Sequence, residues 1–225
     1  MLKQRQYWNN KIIEWSASGY RKKKEKISLV ERIAYPFRKA DKRYLAGIEL
    51  IGPLAKNKVV LDLGFGVGDF SFGIIKYGPK KVFGIDIADS AVAFAMKVAI
   101  KKKVERRVQF RRGDVTQMKT LPESDIIVGL GFIDYLNRNQ LRYLFKLIGK
   151  RKFLFSYFEK KLSILNLIHS VYVKFQNCPG AFKFTRKEMK RIIPLSAKTS
   201  LISKNNLVFI TNIPNLKELD WQYKL

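Results

Sequence analysis

The stretch from Val59 to Gly68, VVLDLGFGVG, restricts the fold of this chain more than any other feature. An apolar, β-branched run predicts a strand buried on both faces, as in a parallel sheet. Three glycines at alternate positions then allow a sharp turn and a close approach of the backbone to a ligand. Residues 69–77 predict a helix whose first amides face that ligand. The stretch therefore predicts a loop that binds a nucleotide-type cofactor.

The glycine spacing excludes two common cofactor loops. A dinucleotide fingerprint needs its third glycine at position 69, which is Asp69 here. A phosphate loop needs a Gly-Lys-Ser/Thr ending, and none follows. Nicotinamide, flavin and nucleoside triphosphate sites are therefore disfavoured.

Three further apolar runs predict strands that each close on an acid or a glycine. They are residues 81–85 closing on Asp86, residues 108–111 followed by Gly113 and Asp114, and residues 126–130 followed by Gly131. Open α/β sheets bind ligands at the carboxyl ends of their parallel strands. The polar residues at these strand ends are therefore expected at one edge of the sheet.

These segments resemble the class I S-adenosylmethionine-dependent methyltransferases. The resemblance covers residues 59–136 and rests on VVLDLGFGVG, GIDIADSAVAFA, RRGDV and DIIVGLGFIDYL, in the order and spacing of that family. It implies an α/β, Rossmann-like fold with a mostly parallel seven-stranded sheet that ends in an antiparallel hairpin. It also implies an enzyme that uses S-adenosyl-L-methionine as cofactor and methyl donor.

The resemblance also assigns roles to individual residues. In the family, the glycine loop holds the methionine part of the cofactor, the acid after strand two binds the ribose, and the acid after strand three meets the adenine amino group. Asp62 matches the acid that supports the loop and the methionine ammonium. The implied cofactor-binding residues are Asp62, Gly64, Phe65, Gly66, Gly68, Asp86, Ile87, Asp114, Val115 and Leu130. Phe65 departs from the Cys or small residue of many members and leaves the glycine register intact.

A length of 225 residues suits one α/β domain with a small cap. We predict a basic helical N-terminal lid over 1–54, a methyltransferase domain over 55–213 and a C-terminal tail over 214–225. A fifth strand is predicted at 152–157, followed by an insertion at 159–183. The runs 199–203 and 207–211 flank Lys-Asn-Asn and predict a hairpin.

The insertion contains KKLSILNLIHSVYVKF, an apolar stretch between lysines. With FSYF before it and CPG, an aromatic residue and FTRKEM after it, the segment resembles small-molecule O-methyltransferases, including the magnesium-protoporphyrin type. This likeness implies a small or lipophilic acceptor. Two other interpretations remain open, namely a helix on a membrane surface and a plain core or oligomer-interface helix.

Methyl transfer from a sulfonium asks for alignment and exclusion of water more than for a catalytic motif. Asp134 and Tyr135 follow the fourth strand and are catalytic candidates, with His169 of the insertion as a candidate base. Asp134 could instead cap the next helix, and the other two could be structural. Cys178 adjoins Pro-Gly and is predicted to be a turn residue rather than a nucleophile. Residues 131–134 read Gly-Phe-Ile-Asp, so the tetrad of DNA adenine methylation is absent.

The formal net charge is +27, and the basic residues gather at the two ends of the chain. Residues 1–45 hold 13 Lys and Arg against 4 acids, and residues 136–225 hold 18 against 4. This excess favours RNA, a ribosomal partner or an anionic membrane surface, unless it is only a solvated surface. RNA methylation and a non-catalytic cofactor-binding subunit are therefore kept as alternatives. No His/Cys spacing indicates a metal site.

The sequence contains no apolar run of membrane-spanning length, and its N-terminus has no secretory signal pattern. Its single cysteine excludes an internal disulfide. A cytoplasmic location is therefore expected, with peripheral attachment to a membrane as the alternative.

Overall fold

The computed structural model describes residues 2–15, 40–160, 177–194, 198–204 and 207–216. The α-helices are α1 (Leu2–Trp15), α2 (Ala40–Ile51), α3 (Asp69–Gly73), α4 (Asp89–Lys101), α5 (Arg138–Ile148) and α6 (Arg186–Ile192). The strands are β1 (Val59–Leu63), β2 (Lys81–Asp86), β3 (Val108–Arg112), β4 (Ile126–Leu130), β5 (Lys152–Tyr157), β6 (Ser200–Lys204) and β7 (Leu207–Thr211).

The strands form one seven-stranded sheet in the order β3-β2-β1-β4-β5-β7-β6. The first five strands pair in parallel. Strand β7 runs antiparallel to β5 and forms the terminal hairpin with β6. The Rossmann-like fold, the mostly parallel sheet and the antiparallel ending are confirmed.

Strand β1 shows why the sheet is buried on both faces. Its side chains alternate, so that Leu61 and Leu63 pack with the apolar residues of α5 and α6. Val60 points the other way and packs with residues of α2 and α3. Burial of apolar side chains on both faces stabilises the centre of the sheet and fixes the register of β1. It therefore also fixes where the following loop begins.

The predicted strands agree with the observed ones to within one residue at each end. The helix predicted over 69–77 is shorter than expected, because α3 ends at Gly73 and a 3-10 turn covers residues 74–77. A Cβ atom at Gly73 would lie 2.2 Å from Ile48, so α2 approaches the backbone closely at that point. Gly78 then closes the turn in the left-handed conformation (φ +71°).

Several sequence predictions fall outside the described residues. They concern His169 and most of the apolar insertion (161–176), the first part of the N-terminal lead-in (16–39), the hairpin turn (205–206) and the end of the tail (217–225). None of the helices in the described part of the chain is long and apolar enough to span a membrane.

Candidate active site

The loop of residues 64–68, here called the glycine loop, leaves β1 at the carboxyl edge of the sheet. Gly64, Gly66 and Gly68 all have positive φ, at +68°, +59° and +86°. A Cβ atom at Gly64 would lie 2.7 Å from the ring of Phe132, and one at Gly68 would lie 2.7 Å from Phe72. Residues with side chains are strained in this conformation. The loop is therefore a bare backbone turn that only glycine builds without cost.

Asp86, the last residue of β2, ties the glycine loop to the neighbouring strand. One carboxylate oxygen accepts from the amide of Gly66 at 2.9 Å, and the other accepts from the amide of Ala88 at 2.9 Å. Burial raises the pKa of Asp86 to about 6, against the lowering effect of these amides. A carboxylate has about four acceptor positions, so Asp86 keeps capacity for ligand hydroxyls.

Asp62 lies beneath the loop, on the face of β1 turned toward α3. It is 2% exposed and accepts a hydrogen bond of 2.6 Å from the hydroxyl of Ser71 in α3. Burial raises the pKa of Asp62 to about 7, and the nearby Asp86 and Asp69 charges act in the same direction. This contact joins the strand before the loop to the helix after it, as expected of a supporting acid.

Asp114 follows β3 on the same edge. Its Oδ1 accepts from the amide and the hydroxyl of Thr116, at 3.0 and 2.8 Å. The amide of Gly113 donates to the Asp86 carbonyl at 2.8 Å, which holds the ends of β2 and β3 together. Asp62, Asp86 and Asp114 thus lie at the carboxyl ends of adjacent strands beside the glycine loop.

Four other residues of the predicted cofactor set lie at the same edge. The Phe65 ring packs against Phe110 at a centroid distance of 4.5 Å and is turned toward β2 and β3. Ile87 packs in the same apolar cluster as Phe65. Val115 is buried, and Leu130 ends β4 against Gly47 of α2.

The catalytic candidate Asp134 is held by structural contacts. It is buried, its carboxylate accepts from the Phe158 amide at 2.8 Å, and its carbonyl accepts from the Phe182 amide at 2.7 Å. Burial raises its pKa, and the charges of Arg43 and Lys183 oppose that shift. These bonds join the ends of β4 and β5 to the segment 177–184. The bond from the Phe158 amide to the carboxylate gives a reason for an acid at position 134 without any reaction.

The alternative that Asp134 caps the next helix is wrong. Asn137 caps α5, because its side chain accepts from the Gln140 amide while the Gln140 side chain accepts from the Asn137 amide. Position 137 is the residue directly before the helix, as this reciprocal capping box requires. Asp134 lies in the preceding 3-10 turn, three residues too early.

Tyr135 meets the N-terminal helix α1. Its ring packs edge-on against Trp8 at a centroid distance of 4.7 Å, and its carbonyl accepts from the Gln4 side chain at 2.9 Å. Cys178 packs in the same cluster, and burial raises the pKa of its thiol to about 11, against the lowering effect of a hydrogen bond with Tyr7. A thiol of this kind is a poor nucleophile, which agrees with the predicted turn role.

Helix α1 also contacts the segment that follows Asp86. Arg5 donates to Asp89 at 2.9 Å, and Asn9 donates to the same carboxylate at 3.2 Å and accepts from the Ser90 amide. Ile12 lies 3.5 Å from a Cβ atom built on Gly66. These contacts were not predicted from the sequence. Trp8 and Ile12 lie four residues apart on one face of α1, and this apolar pair could have indicated that the helix packs against the domain.

Known proteins match the part of the chain that contains the glycine loop and the acids at the ends of β1 to β3. Residues 54–189, more than half of the chain, match the family model described as methyltransferase domain. A curated relative, hemolysin A of Brachyspira hyodysenteriae, is 30% identical over 73 residues. That match spans 32% of this chain and 30% of the relative.

Two solved structures have the same fold. Magnesium protoporphyrin IX methyltransferase from Synechocystis, with bound SAH, superposes with a TM-score of 0.59 and 17% identity over 92% of this chain and 97% of that one. An O-methyltransferase family 2 protein from Planctomyces limnophilus, in complex with apigenin, gives a TM-score of 0.60 and 14% identity over 88% and 67%. The likeness to the magnesium-protoporphyrin type is confirmed for the fold. On the family match, this chain belongs to the methyltransferase domain family.

Proposed function

We propose that this chain transfers a methyl group from S-adenosyl-L-methionine to a small acceptor. The observation that carries the proposal is the hydrogen bond from the Gly66 amide to Asp86, which joins the bare loop and the strand-two acid into one binding edge. Among the solved structures with this fold, the magnesium protoporphyrin methyltransferase has been described with bound SAH and with bound SAM.

The residues present fit this cofactor. The positive-φ glycine loop presents a backbone without side chains, which suits the amino-acid tail, and Asp62 supports it through Ser71. Asp86 has acceptor capacity left for the two ribose hydroxyls. Asp114 uses Oδ1 for Thr116, so Oδ2 is the oxygen that would meet the adenine amino group, with Val115 and Ile87 as apolar neighbours.

When bound, S-adenosylmethionine supplies a methyl group that is already activated on a sulfonium. The work left to the protein is to orient the acceptor, keep water out and accommodate a proton. The Asp134 carboxylate is held by the Phe158 amide, and its contacts are structural. An acceptor that is already ionised, such as a carboxylate, or one that loses its proton readily, such as an acidic hydroxyl, fits this site best. Tyr135 and His169 stay candidates for shaping the acceptor pocket and for taking the proton.

The acceptor side favours a flat or lipophilic molecule. Tyr7, Trp8 and Tyr135 bring three aromatic rings together where α1 meets the end of β4. Aromatic rings pack well against planar apolar ligands. One similar structure is a magnesium protoporphyrin methyltransferase and the other is a complex with apigenin, and both of these molecules are planar.

We further propose that residues 1–54 act as a lid on the domain formed by 55–213. The contacts of α1 with Asp89, Ser90 and Tyr135 support this division, as does the position of α1 near Gly66. The insertion 159–183 would complete the acceptor pocket, and 214–225 would be a tail. A cytoplasmic location, with peripheral attachment to a membrane as the alternative, stays part of the proposal.

The second candidate function is methylation of RNA or a ribosome-associated partner. A groove of ≈ 800 Å³ between α6 and β6 is lined by Arg186, Lys187, Lys190 and Arg191. The neighbouring acids Glu159 and Glu188 are paired with Arg186 and Arg138. The groove therefore carries positive charge suited to phosphates, although the described residues that line it include no aromatic ring for stacking bases.

A methyl-transfer screen separates the two functions. The purified chain is incubated with S-adenosylmethionine labelled on its methyl carbon and either total RNA or an organic extract of cells. We expect label in the organic extract, and this transfer should change little between 50 and 300 mM salt. Label confined to RNA would support the second function, and a lack of label in both fractions would contradict the proposed enzyme activity.

A further inference from the structure

Helix α4 exposes large apolar side chains to solvent. Met96 and Ile100 lie one turn apart and are 49% and 63% exposed, and Ala93 is exposed on the same face. The buried residues of α4 are all alanines. A helix that only covers a sheet has its large apolar residues on the buried face instead. This exposed apolar row therefore indicates a surface that contacts a partner.

Four lysines border the apolar row. Lys97 and Lys101 each directly follow a residue of the row, and Lys102 and Lys103 follow the end of the helix. All four are exposed, and none forms an ion pair within the described part of the chain. Residues 93–107 contain six Lys and Arg against one acid. The apolar row and these four lysines are here called the α4 surface.

Charge limits the partner of the α4 surface. A second copy of this chain also carries a charge of +27, and like charges repel. The longer segments of the sequence outside the described residues do not complement the lysines either. Residues 16–39 hold eight Lys and Arg against two acids, residues 161–176 hold two against none, and residues 217–225 hold two against two. The α4 surface therefore suits an anionic partner from outside the chain.

The apolar row distinguishes between two kinds of anionic partner. The phosphates of a nucleic acid would attract the lysines but would offer no apolar layer to Met96 and Ile100. An anionic bilayer suits both parts of the surface. Apolar side chains enter the boundary between headgroups and acyl chains, while lysine ammonium groups stay among the headgroups. The row therefore favours a bilayer.

We propose that the α4 surface binds an anionic lipid bilayer. Helix α4 has 13 residues, so it lies on the membrane rather than crossing it. Peripheral attachment thereby has a defined surface, formed by residues other than the insertion. Each contribution is small, so the attachment should be reversible and should weaken with salt. The inference does not rest on methyl transfer, because lipid binding needs neither cofactor nor acceptor.

Sedimentation of the full chain with vesicles tests the proposal. Phosphatidylcholine vesicles with about one-third phosphatidylserine are compared with pure phosphatidylcholine vesicles at about 0.15 M salt. Wild type should bind only the anionic vesicles. The double variant Met96→Gln, Ile100→Gln keeps the net charge and should bind them at least about tenfold more weakly. The control Leu45→Gln, Leu54→Gln changes two other apolar side chains, 50% and 38% exposed, and should bind as wild type does.

Two double variants of equal net charge test the lysines. Lys97→Gln, Lys101→Gln should lower binding to the anionic vesicles about tenfold. Lys187→Gln, Lys190→Gln, from the groove between α6 and β6, should lower it clearly less. Equal losses would show that only the total charge attracts the bilayer, and would overturn the assignment of the α4 surface.

A fluorescent label tests which face enters the lipid. A dye that senses the polarity of its surroundings is attached to Met96→Cys or to the control Leu45→Cys, each in a chain with Cys178→Ala. On anionic vesicles, the emission should shift to shorter wavelength at position 96 and stay unchanged at position 45. No shift at position 96 would overturn the proposal.

Two further results would also overturn the proposal, namely no binding of wild type to anionic vesicles and equal binding of wild type and the apolar variant. If the apolar variant lost RNA binding or self-association instead, the surface would belong to a nucleic acid or to a second copy. Binding of S-adenosylhomocysteine is measured without lipid. Failure of the vesicle experiment therefore leaves the proposed methyl transfer unaffected, and failure of cofactor binding leaves the α4 surface unaffected.

Discussion

At the scale of single residues, the site depends on positions where a side chain is absent or a charge is buried. Gly64, Gly66 and Gly68 hold a conformation that other residues adopt at a cost, while Asp62 and Asp86 carry charges in places with little water. Both features oppose stability. The proposed cofactor site gives a reason for their presence at one edge of the sheet.

Substitution of Gly66 by Ala separates backbone strain from loss of the site. Gly78 is the matched control, because it has a similar positive φ and only Lys56 within 4.0 Å of an added Cβ atom. Each variant should lose about 1–2 kcal/mol of unfolding free energy through strain. Only Gly66→Ala should also weaken S-adenosylhomocysteine binding, measured by calorimetry. Equal binding by the two variants would remove Gly66 from the site.

Asp62 predicts a pH dependence of stability. Its pKa is about 7 in the folded chain against an ordinary value of 3.8, because it is buried. Between these values the folded state holds more protons, so the contribution of Asp62 to stability falls as pH rises from about 4 to 7. Asp62→Asn should therefore gain melting temperature relative to wild type between pH 5 and pH 8. Parallel melting curves across this range would contradict the buried charge.

At the scale of elements, the strands follow from local sequence and the lid contacts do not. Runs such as Ile126–Leu130 are continuously apolar, and a strand buried on both faces needs no distant information. Arg5 and Asp89 are 84 residues apart, and neither segment contains a pattern that indicates the other as its partner. The same holds for Arg43 and Gly131, which meet only after α2 has packed on β4.

Some residues of the candidate site were also predictable from local sequence, and others were not. The glycine loop, Asp86 and Asp114 lie where the strand pattern placed them, because parallel strands bring their carboxyl ends to one edge. The structural role of Asp134 could not be foreseen, since its partner Phe158 belongs to another strand end. A helix cap at Asn137 is a local signal, and the pair Asn137 and Gln140 could have been recognised in the sequence.

The hydrogen bonds between α1 and Asp89 predict how readily the proposed lid opens. The side chains of Arg5 and Asp89 are 37% and 47% exposed, so each contact is expected to be weak and to open readily. The double variant Arg5→Ala, Asn9→Ala should release S-adenosylhomocysteine roughly three- to tenfold faster in stopped flow. Hydrogen exchange in α1 should rise with it.

Lys3→Ala is the control for this experiment, because Lys3 is exposed on the same helix. It should leave the release rate and the exchange of α1 unchanged. If the double variant releases the ligand at the wild-type rate while α1 exchanges faster, α1 does not act as a lid.

At the scale of the whole molecule, a charge of +27 creates a field that attracts any polyanion. The groove beside α6 would act as a specific site only if its charges contribute more to polyanion binding than other surface charges do. The triple variant Lys187→Gln, Lys190→Gln, Arg191→Gln removes three of the groove charges. The triple variant Lys97→Gln, Lys101→Gln, Lys102→Gln removes three exposed charges from α4 and the residue that follows it.

Elution from heparin compares the two triple variants at equal net charge. The first should elute at clearly lower salt than the second if the groove binds phosphates or sulfates, because each lost contact weakens the binding to heparin. The same elution salt for both variants would show that attraction is spread over the surface. That result would remove the structural support for the RNA alternative.

The central claim is that Asp86 and the glycine loop together hold S-adenosylmethionine. Calorimetric titration with S-adenosylhomocysteine tests it on wild type, Asp86→Asn and the exposed-acid control Glu105→Gln. We predict saturable binding to wild type and the control, and binding at least about tenfold weaker to Asp86→Asn, because charge-assisted hydrogen bonds to the ribose are lost. Equal affinity of wild type and Asp86→Asn, or no binding to wild type, would contradict the account.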